Sequence, residues 1–311
     1  MDVSVVIPTL NGRDQLAASL DAITEFAPEV EVIVVNGPSA DGTSGMVRDR
    51  DDVDVLVEID ERNVNVGRNA GIERASGDVV ALVEYDLTVE EGWLDALKQG
   101  LAAIPEDGDE RGAVTGPTHR RLRAGVTTEK AETREIRGRE VRYFGGGNVA
   151  FRREALEAID GFDERLQTGG ARDAAHRLAG LGYEVAWAPG MSVATELEAD
   201  GGTAERDWRW RYRSLCYRLV KNYGLRPSIA YRIARHATTD AIEAARDVAE
   251  GEGRPTQWLG NGRDVVLGIV SGAARGLAAR FADRSDRRNP SGWSTRNDRA
   301  VAVHDRRTTT R

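Results

Sequence analysis

The apolar positions of the first hundred residues fall into short β-branched runs separated by stretches of helical spacing. Residues 3–9 (VSVVIPT), 30–35 (VEVIVV) and 79–83 (VVALV) are near-continuous runs of the kind covered on both faces of a parallel sheet. Residues 53–59 (VDVLVEI) alternate as a strand does. Between these runs, residues 14–26 place Leu16, Leu20, Ile23 and Phe26 on one helical face, and residues 43–50 and 67–75 read as further helices. Strands alternating with helices of this length predict βαβ units with right-handed crossovers, hence a doubly wound α/β fold. Ligands of such sheets lie at the carboxyl ends of the strands. Those ends are residues 9–11, 36–39 and 84–86, and all three are polar.

The pattern then weakens. Residues 105–140 are charge-rich and predict irregular chain around one strand at 113–117. Residues 143–151 (YFGGGNVAF) read as a strand interrupted by three glycines, followed by helices near 153–159 and 172–181 and a strand at 183–187. From about residue 204 the character shifts. Residues 207–223 interleave aromatics with arginines, residues 265–281 form an amphipathic stretch, and residues 284–311 read as a basic, loosely ordered tail.

Charge sharpens this division. The 311 residues carry 51 acids against 43 bases, yet three of those bases are lysine (Lys98, Lys130 and Lys221). An acidic, lysine-poor composition suits high salt, although a GC-rich genome also favours arginine over lysine. Residues 201–311 hold 22 bases and 12 acids, net +10, whereas residues 1–200 are net −18. A basic final third on an acidic protein predicts an anionic ligand or surface. Nucleic acid is the poorer candidate, because no recognised binding module accompanies the charge. A single cysteine, Cys216, excludes an intramolecular disulfide, and with four histidines it leaves little for a structural zinc site. No run reaches the roughly 18 uninterrupted apolar residues of a membrane span. The opening MDVSVVIPTL carries no basic leader, so the expected location is cytoplasmic.

Several nucleotide and nucleophile motifs are missing: G-x-G-x-x-G after the first strand, G-x-x-x-x-G-K-[ST], and G-x-S-x-G. What remains is Glu84-Tyr85-Asp86 at the end of a buried strand. Positions i and i+2 of an extended chain face the same way, so both carboxylates can meet one ligand. Oxygen donors there suit Mg²⁺ or Mn²⁺ bridging to a diphosphate; solvated loop acids are the plainer alternative.

Five stretches carry a family resemblance: VSVVIPTLNG at 3–12, VIVVNGPSADGT at 32–43, NVGRNAGIERASGDVVALVEYD at 65–86, GGNVAFRREALEAIDGFDERL at 146–166 and GYEVAWAP at 182–189. In this order they resemble the inverting glycosyltransferases of family 2, which have the GT-A fold; the last third matches more faintly. The resemblance implies that Pro8, Thr9 and Asn36 cradle the base of a nucleotide-sugar donor, a UDP-sugar by the family's habit. Asn36 stands where the family usually has an aspartate that accepts from the uracil imide, and its oxygen can accept without charge. Arg68 would lie by phosphate or ribose oxygens, Glu84 by the ribose or a water on the metal, and Asp86 on the metal itself. Asp41, in D-G-T before a helix, reads as an N-cap. Gly145, Gly146 and Gly147 would let the backbone approach the donor sugar.

The base is where this chain departs from the family. Members carry E-D-x-D before a helix ending in R-L, and one of these acids deprotonates the acceptor. Aligned on Arg177-Leu178, the usual Glu-Asp pair falls on Gly170 and Ala171, which leaves Asp173 as the acid. Either Asp173 is the catalytic base or the chemistry differs, with His176 in reserve.

Composition and the tail NPSGWSTRNDRAVAVHDRR resemble the Agl-type transferases of haloarchaea, hexuronic acid transferases among them. These build N-linked glycans, such as those of S-layer proteins, on dolichol phosphate at the cytoplasmic face. The implied organisation is a GT-A domain over 1–200, a helical membrane- or acceptor-proximal region over 201–284, and a basic tail over 285–311. Trp208, Trp210, Tyr212, Tyr217 and Tyr223 would meet an anionic membrane surface. The stripe Val265, Val266, Ile269, Val270, Ala273 and Leu277 would lie in the interface, too short and charged to cross it. Packing of that stripe on protein is the alternative. The alternative to an enzyme acting on a lipid-linked glycan acceptor is a non-catalytic GT-A-like binding partner in a glycan-assembly complex.

Overall fold

The computed structural model describes residues 1–102, 110–122, 125–128, 130–196, 207–250 and 255–307. The chain divides into an α/β unit, Met1–Asp200 with Ser291–Arg311, and a helical unit, Gly201–Pro290.

The α/β unit begins with β1 (Val3–Thr9), α1 (Arg13–Phe26), β2 (Glu31–Asn36), α2 (Thr43–Arg48), β3 (Val55–Ile59), α3 (Val64–Ile72) and β4 (Val79–Val83). It continues through β5 (Thr88–Val89), α4 (Trp93–Ala102), β6 (Glu110–Thr115), β7 (Thr118–Leu122), β8 (Gly125–Thr128), β9 (Glu132–Ile136), β10 (Arg139–Tyr143) and β11 (Asn148–Arg152). Then come α5 (Arg153–Ala158), α6 (Gly170–Leu181), β12 (Tyr183–Trp187) and β13 (Val193–Glu196).

The helical unit holds α7 (Trp208–Tyr223), α8 (Pro227–Ala249) and α9 (Pro255–Ala282); after it, β14 (Ala300–Asp305) returns to the α/β unit.

Eight strands form the main sheet in the order β12-β6-β11-β4-β1-β2-β3-β14. The β-branched runs sit at its centre: β1 pairs in parallel with β2 and β4, and β2 with β3. β11 runs antiparallel between β4 and β6. One face buries Leu16, Leu20, Ile23, Trp93 and Leu97, and the other buries Val66, Ile72, Leu156, Phe162 and Leu178. Covered on both faces, the central strands need no polar alternation.

Two expectations change. Among the described residues of 105–140, the chain is mostly strand rather than irregular: β9 and β10 form a two-stranded sheet, and β5, β13, β7 and β8 a four-stranded one. Residues 105–109, 123–124 and 129 of that stretch lie outside the described residues. The 285–311 tail is not loose either. β14 adds antiparallel to the edge of β3, and Arg299 is fully buried between Glu73 and Glu164. Arg296 bridges Glu61 at 2.5 Å and Glu164 at 2.8 Å, while Asp160 accepts from the backbone N–H and hydroxyl of Ser294 at 2.9 and 2.8 Å. A buried guanidinium shared by two carboxylates ties this segment down far better than its polar composition suggests.

In the helical unit, Asp207 caps α7 by accepting from the N–H of Trp210 at 2.9 Å. α9 packs on α7 through Gly268, Gly272 and Gly276, one residue per turn. A Cβ at these positions would lie 2.5 Å from the Arg209 carbonyl oxygen, 2.4 Å from that of Arg213 and 2.7 Å from that of Tyr217. Only glycine allows backbones this close. Tyr212, Tyr217 and Tyr223 are buried here with Cys216, Leu219 and Val220. This corrects their expected place at a membrane surface: they share one helical stripe with apolar residues, and that stripe is core. Residues 260–282 are long and apolar enough to cross a membrane by length and composition, so shortness does not exclude a span.

Candidate active site

The parallel strands β1, β2 and β4 end on the same side of the sheet, and the sequence puts polar residues there. Thr9, the last residue of β1, is buried, and its hydroxyl has no hydrogen-bond partner among the described residues. Buried hydroxyls are rarely left so, and an orphan at a strand end suits a polar ligand.

Asn36, the last residue of β2, is buried and oriented. Its Nδ2 donates to the Ser44 hydroxyl at 2.8 Å, and its Oδ1 accepts from the Ser39 hydroxyl at 2.7 Å. Ser44 in turn donates to Glu58 at 2.6 Å, so it can accept from Asn36. Ser39 accepts from the N–H of Asn11 at 2.9 Å, so its own proton points at Asn36. These polarities settle which way the carboxamide faces. Asp41 accepts from the N–H of Thr43 at 3.1 Å and from that of Arg13 at 3.0 Å, but the N-cap of α2 is Gly42, one residue after the expected position.

Arg68 comes from α3, whose N-cap Asn63 accepts from the N–H of Asn65 at 3.0 Å. Its Nη1 donates to Asn65 Oδ1 at 3.0 Å and its Nη2 to Glu84 Oε1 at 3.2 Å. The guanidinium stacks 5.2 Å from the centroid of Phe162. Arg68 is buried, and its Nε has no hydrogen-bond partner among the described residues. Burial pushes its ionisation below the ordinary range, and the Glu84 charge opposes that shift. A desolvated cation with a spare N–H suits an anionic ligand.

Gly146 and Gly147 make room for this pair. A Cβ at 146 would sit 2.1 Å from Arg68 Nη2, and one at 147 would sit 2.8 Å from the Glu84 side chain. In this structure, therefore, their space is taken by protein rather than left for a sugar; Gly145 faces open space.

Glu84 is half-exposed and Asp86 exposed, two residues apart after β4. Burial raises the Tyr85 phenol between them, with Asp86 and Glu84 adding to the shift. No group of three or more His, Cys, Asp or Glu among the described residues is placed to hold a metal. β4 ends at Val83 and residues 85–86 form a turn, so the extended-chain alignment expected of the two carboxylates does not hold. As oxygen donors, Glu84 and Asp86 are still of the kind Mg²⁺ or Mn²⁺ takes, one or two carboxylates with water and phosphate oxygens.

The expected base is not accessible. Asp173 has no exposed surface and accepts from Arg177 Nε at 2.9 Å; Arg177, also fully buried, donates to the Gly161 carbonyl at 2.8 Å and to that of Ile159. This corrects the picture of a base open to an acceptor: spaced i,i+4, the two residues make an ion pair inside the fold. His176 is buried too, its Nε2 3.4 Å from the Tyr143 hydroxyl. Gly170 explains the missing acid, since a Cβ there would lie 2.3 Å from Asn65 Oδ1. The contact that positions Arg68 thus occupies the place of a side chain at 170.

Sequence reasoning passed over Asn65 and Phe162, which hold Arg68. Asn65 and Asn69 flank Arg68 on α3, and both bond to the 162–166 loop: Asn69 Nδ2 donates to the Phe162 carbonyl at 2.9 Å, and Asn65 Nδ2 to that of Leu166 at 2.5 Å. That helical spacing was a readable signal.

Comparison with known proteins places these residues in a wider group. Residues 4–160 match the profile of Glycosyl transferase family 2. Glycosyltransferase AglE of Haloferax volcanii is 31% identical over 113 residues, covering 34% of this chain and 36% of that protein. Glucosyl-dolichyl phosphate glucuronosyltransferase of the same organism is 26% identical over 179 residues, covering 52% and 56%. The matches therefore span less than two thirds of either relative. Among solved structures, the mannosyltransferase PcManGT from Pyrobaculum calidifontis, in complex with GDP-Man and Mn²⁺, aligns at a TM-score of 0.56 over 88% of this chain and 86% of that one. At 20% identity this shows the fold alone.

Proposed function

The chain belongs to glycosyl transferase family 2 and has the GT-A fold, and on that premise we propose that it transfers a sugar, with inversion, from a nucleotide-diphosphate donor to a lipid-linked glycan. The observation that carries this reading is the polar chain that follows β1, β2 and β4, where Thr9 lies in register with Asn36 and Glu84 pairs with Arg68, with the Thr9 hydroxyl and Arg68 Nε lacking a hydrogen-bond partner among the described residues.

Each residue takes a role its chemistry allows. Pro8, Thr9 and Asn36 hold the base, with Asn36 offering an oriented carboxamide that can both accept and donate. Arg68 lies against phosphate or ribose oxygens as a pre-placed cation. Asp86, with Glu84, would hold Mg²⁺ or Mn²⁺, which would supply positive charge against that of a diphosphate leaving group. The acceptor hydroxyl must lose a proton as it attacks the anomeric carbon. Asp173 can take it only by leaving Arg177, and this sealed geometry favours a second reading, a sugar-nucleotide-binding partner without turnover.

The dolichyl-phosphate relative supports a dolichol-linked acceptor and a hexuronic acid donor such as a UDP-hexuronate. Such an acceptor places the protein at the cytoplasmic face of the membrane, peripheral to it. The test is calorimetric binding of UDP- and GDP-sugars with Mg²⁺ or Mn²⁺ in high salt, followed by mass spectrometry of dolichyl-phosphate acceptors incubated with the bound donor. Binding with product supports transfer; binding with no product on any acceptor supports the second reading; no nucleotide binding overturns both.

A further inference from the structure

α9 has two unlike faces. The inner one is the glycine ridge of Gly268, Gly272 and Gly276 against α7. The outer one presents Val266 (58% exposed), Leu267 (36%), Val270 (62%) and Phe281 (65%) to solvent. Ala274 and Ala278 are exposed on the same side, so the outward stripe carries no charge between Val266 and Phe281. At about 1.5 Å per residue, it runs roughly 24 Å. An exposed apolar stripe of this length marks an interaction site.

From this face we infer that α9 lies in the plane of an anionic lipid leaflet, with its outward stripe in the boundary between headgroups and acyl chains. The inference rests on the lipid-linked acceptor reading and names the surface that would bring the protein to it. Two observations choose this occupant. First, residues 201–290 carry 17 bases and 10 acids, and Arg263 and Arg275 are exposed beside the stripe, where headgroup phosphates would meet them. Arg284 packs on the ring of Phe281, 5.8 Å from its centroid, at the far end. A second copy of the chain would instead bring like charges together.

Second, α9 cannot cross alone. Its glycines meet the α7 backbone from Arg209 to Tyr217, and α7 carries Arg209, Arg211 and Arg213 along that length, with Arg218 and Lys221 just beyond it. A spanning α9 would either strip α7 from its glycine ridge or draw those cations into hydrocarbon. Lying flat avoids both, and α7 stays behind α9 on the watery side.

The test uses the full-length protein and sedimentation with vesicles of phosphatidylglycerol in phosphatidylcholine. The wild type is expected to pellet with these vesicles and less with pure phosphatidylcholine. Val266→Asp combined with Val270→Asp changes two exposed positions, so helical circular dichroism should hold while vesicle affinity falls on the order of tenfold or more. Vesicle binding unchanged in the double variant overturns the inference. So does a wild-type dimer in solution that the double variant dissolves, because the stripe is then covered by a second copy. Retention of the protein in native membranes after an alkaline carbonate wash would show spanning and overturn the in-plane arrangement. UDP-sugar affinity is measured on the same samples: its loss without loss of vesicle binding tells against the transferase reading alone, and the reverse tells against the membrane face alone.

Discussion

Arg68 Nη2 stands 3.2 Å from Glu84 Oε1, joining the third helix to the end of the fourth strand across the place where two glycines leave room. The cation is buried while its partner is half-exposed, so the pair is unequal. Arg68 depends on Glu84 more than the reverse.

Glu84→Gln should therefore lower the stability of the ligand-free protein by about 1–2 kcal/mol, less than the 3–5 of a fully buried pair because solvent screens Glu84. The melting temperature should recover in part when a nucleoside diphosphate supplies negative charge to Arg68. Thermal unfolding with and without UDP checks both halves, and an unchanged ligand-free melting temperature removes the pair from the argument.

Asp86→Asn should leave the melting temperature where it is, because the residue is exposed. It should abolish the gain in nucleotide-diphosphate affinity that Mg²⁺ or Mn²⁺ provides, since one charged oxygen donor is lost. Titration of UDP into the variant with metal and with EDTA decides it: two equal affinities are expected, and a retained metal effect moves the site elsewhere.

Asp173→Asn leaves the Arg177 charge buried without its counter-charge. Breaking such a pair costs about 3–5 kcal/mol, and the low end applies because asparagine can still accept from Arg177. Denaturant unfolding measures the loss. If stability holds while turnover falls by orders of magnitude at constant donor affinity, Asp173 is instead a base that opens during the reaction.

The Glu58 carboxyl is held below its ordinary range, first by the Ser44 hydroxyl and then by Arg48, with burial opposing and His304 adding. A lowered folded-state value contributes stability that is fully present above the unfolded value of about 4.3 and lost as pH falls through the folded one. Urea unfolding between about pH 3 and 6 should show this loss in the wild type and less of it in Glu58→Gln. Because Ser44 also accepts from Asn36, the variant should weaken binding of the nucleoside moiety as well.

Arg299→Met should destabilise the fold markedly by leaving Glu73, already raised by burial, without its cation. Arg299→Lys should not rescue it, since a single ammonium cannot also reach the carbonyls of Gly292 and Trp293 as the guanidinium does. Thermal unfolding of the two variants compares them directly.

The central strands were legible because burial on both faces demands the β-branched runs seen in β1, β2 and β4. β9 and β10 were not, because ETREI and REVRY are charged along most of their length and bury few residues. Their signal was the turn, where Arg137 and Gly138 both take positive φ. The strand-end residues Thr9, Asn36, Glu84 and Asp86 were readable from polar punctuation after apolar runs. The sealed state of Asp173 was not, since an acid four residues before an arginine looks the same on a wet helix as on a buried one. Tyr212, Cys216, Leu219 and Tyr223 recur at helical spacing, the pattern of a core face, but the arginines between them suggested a lipid surface instead.

The eighth strand has a consequence for how the chain comes to be folded. His304 on β14 reaches Glu58 on β3 from 246 positions away, and all of the helical unit is made between the two. During synthesis the edge of β3 therefore stands open, with unpaired backbone groups, until β14 emerges. At some 5–20 residues per second that is on the order of ten to fifty seconds. An open apolar edge is a place for wrong pairing between nascent chains. The late closing strand thus leaves the nascent chain with an edge that needs shielding over that interval.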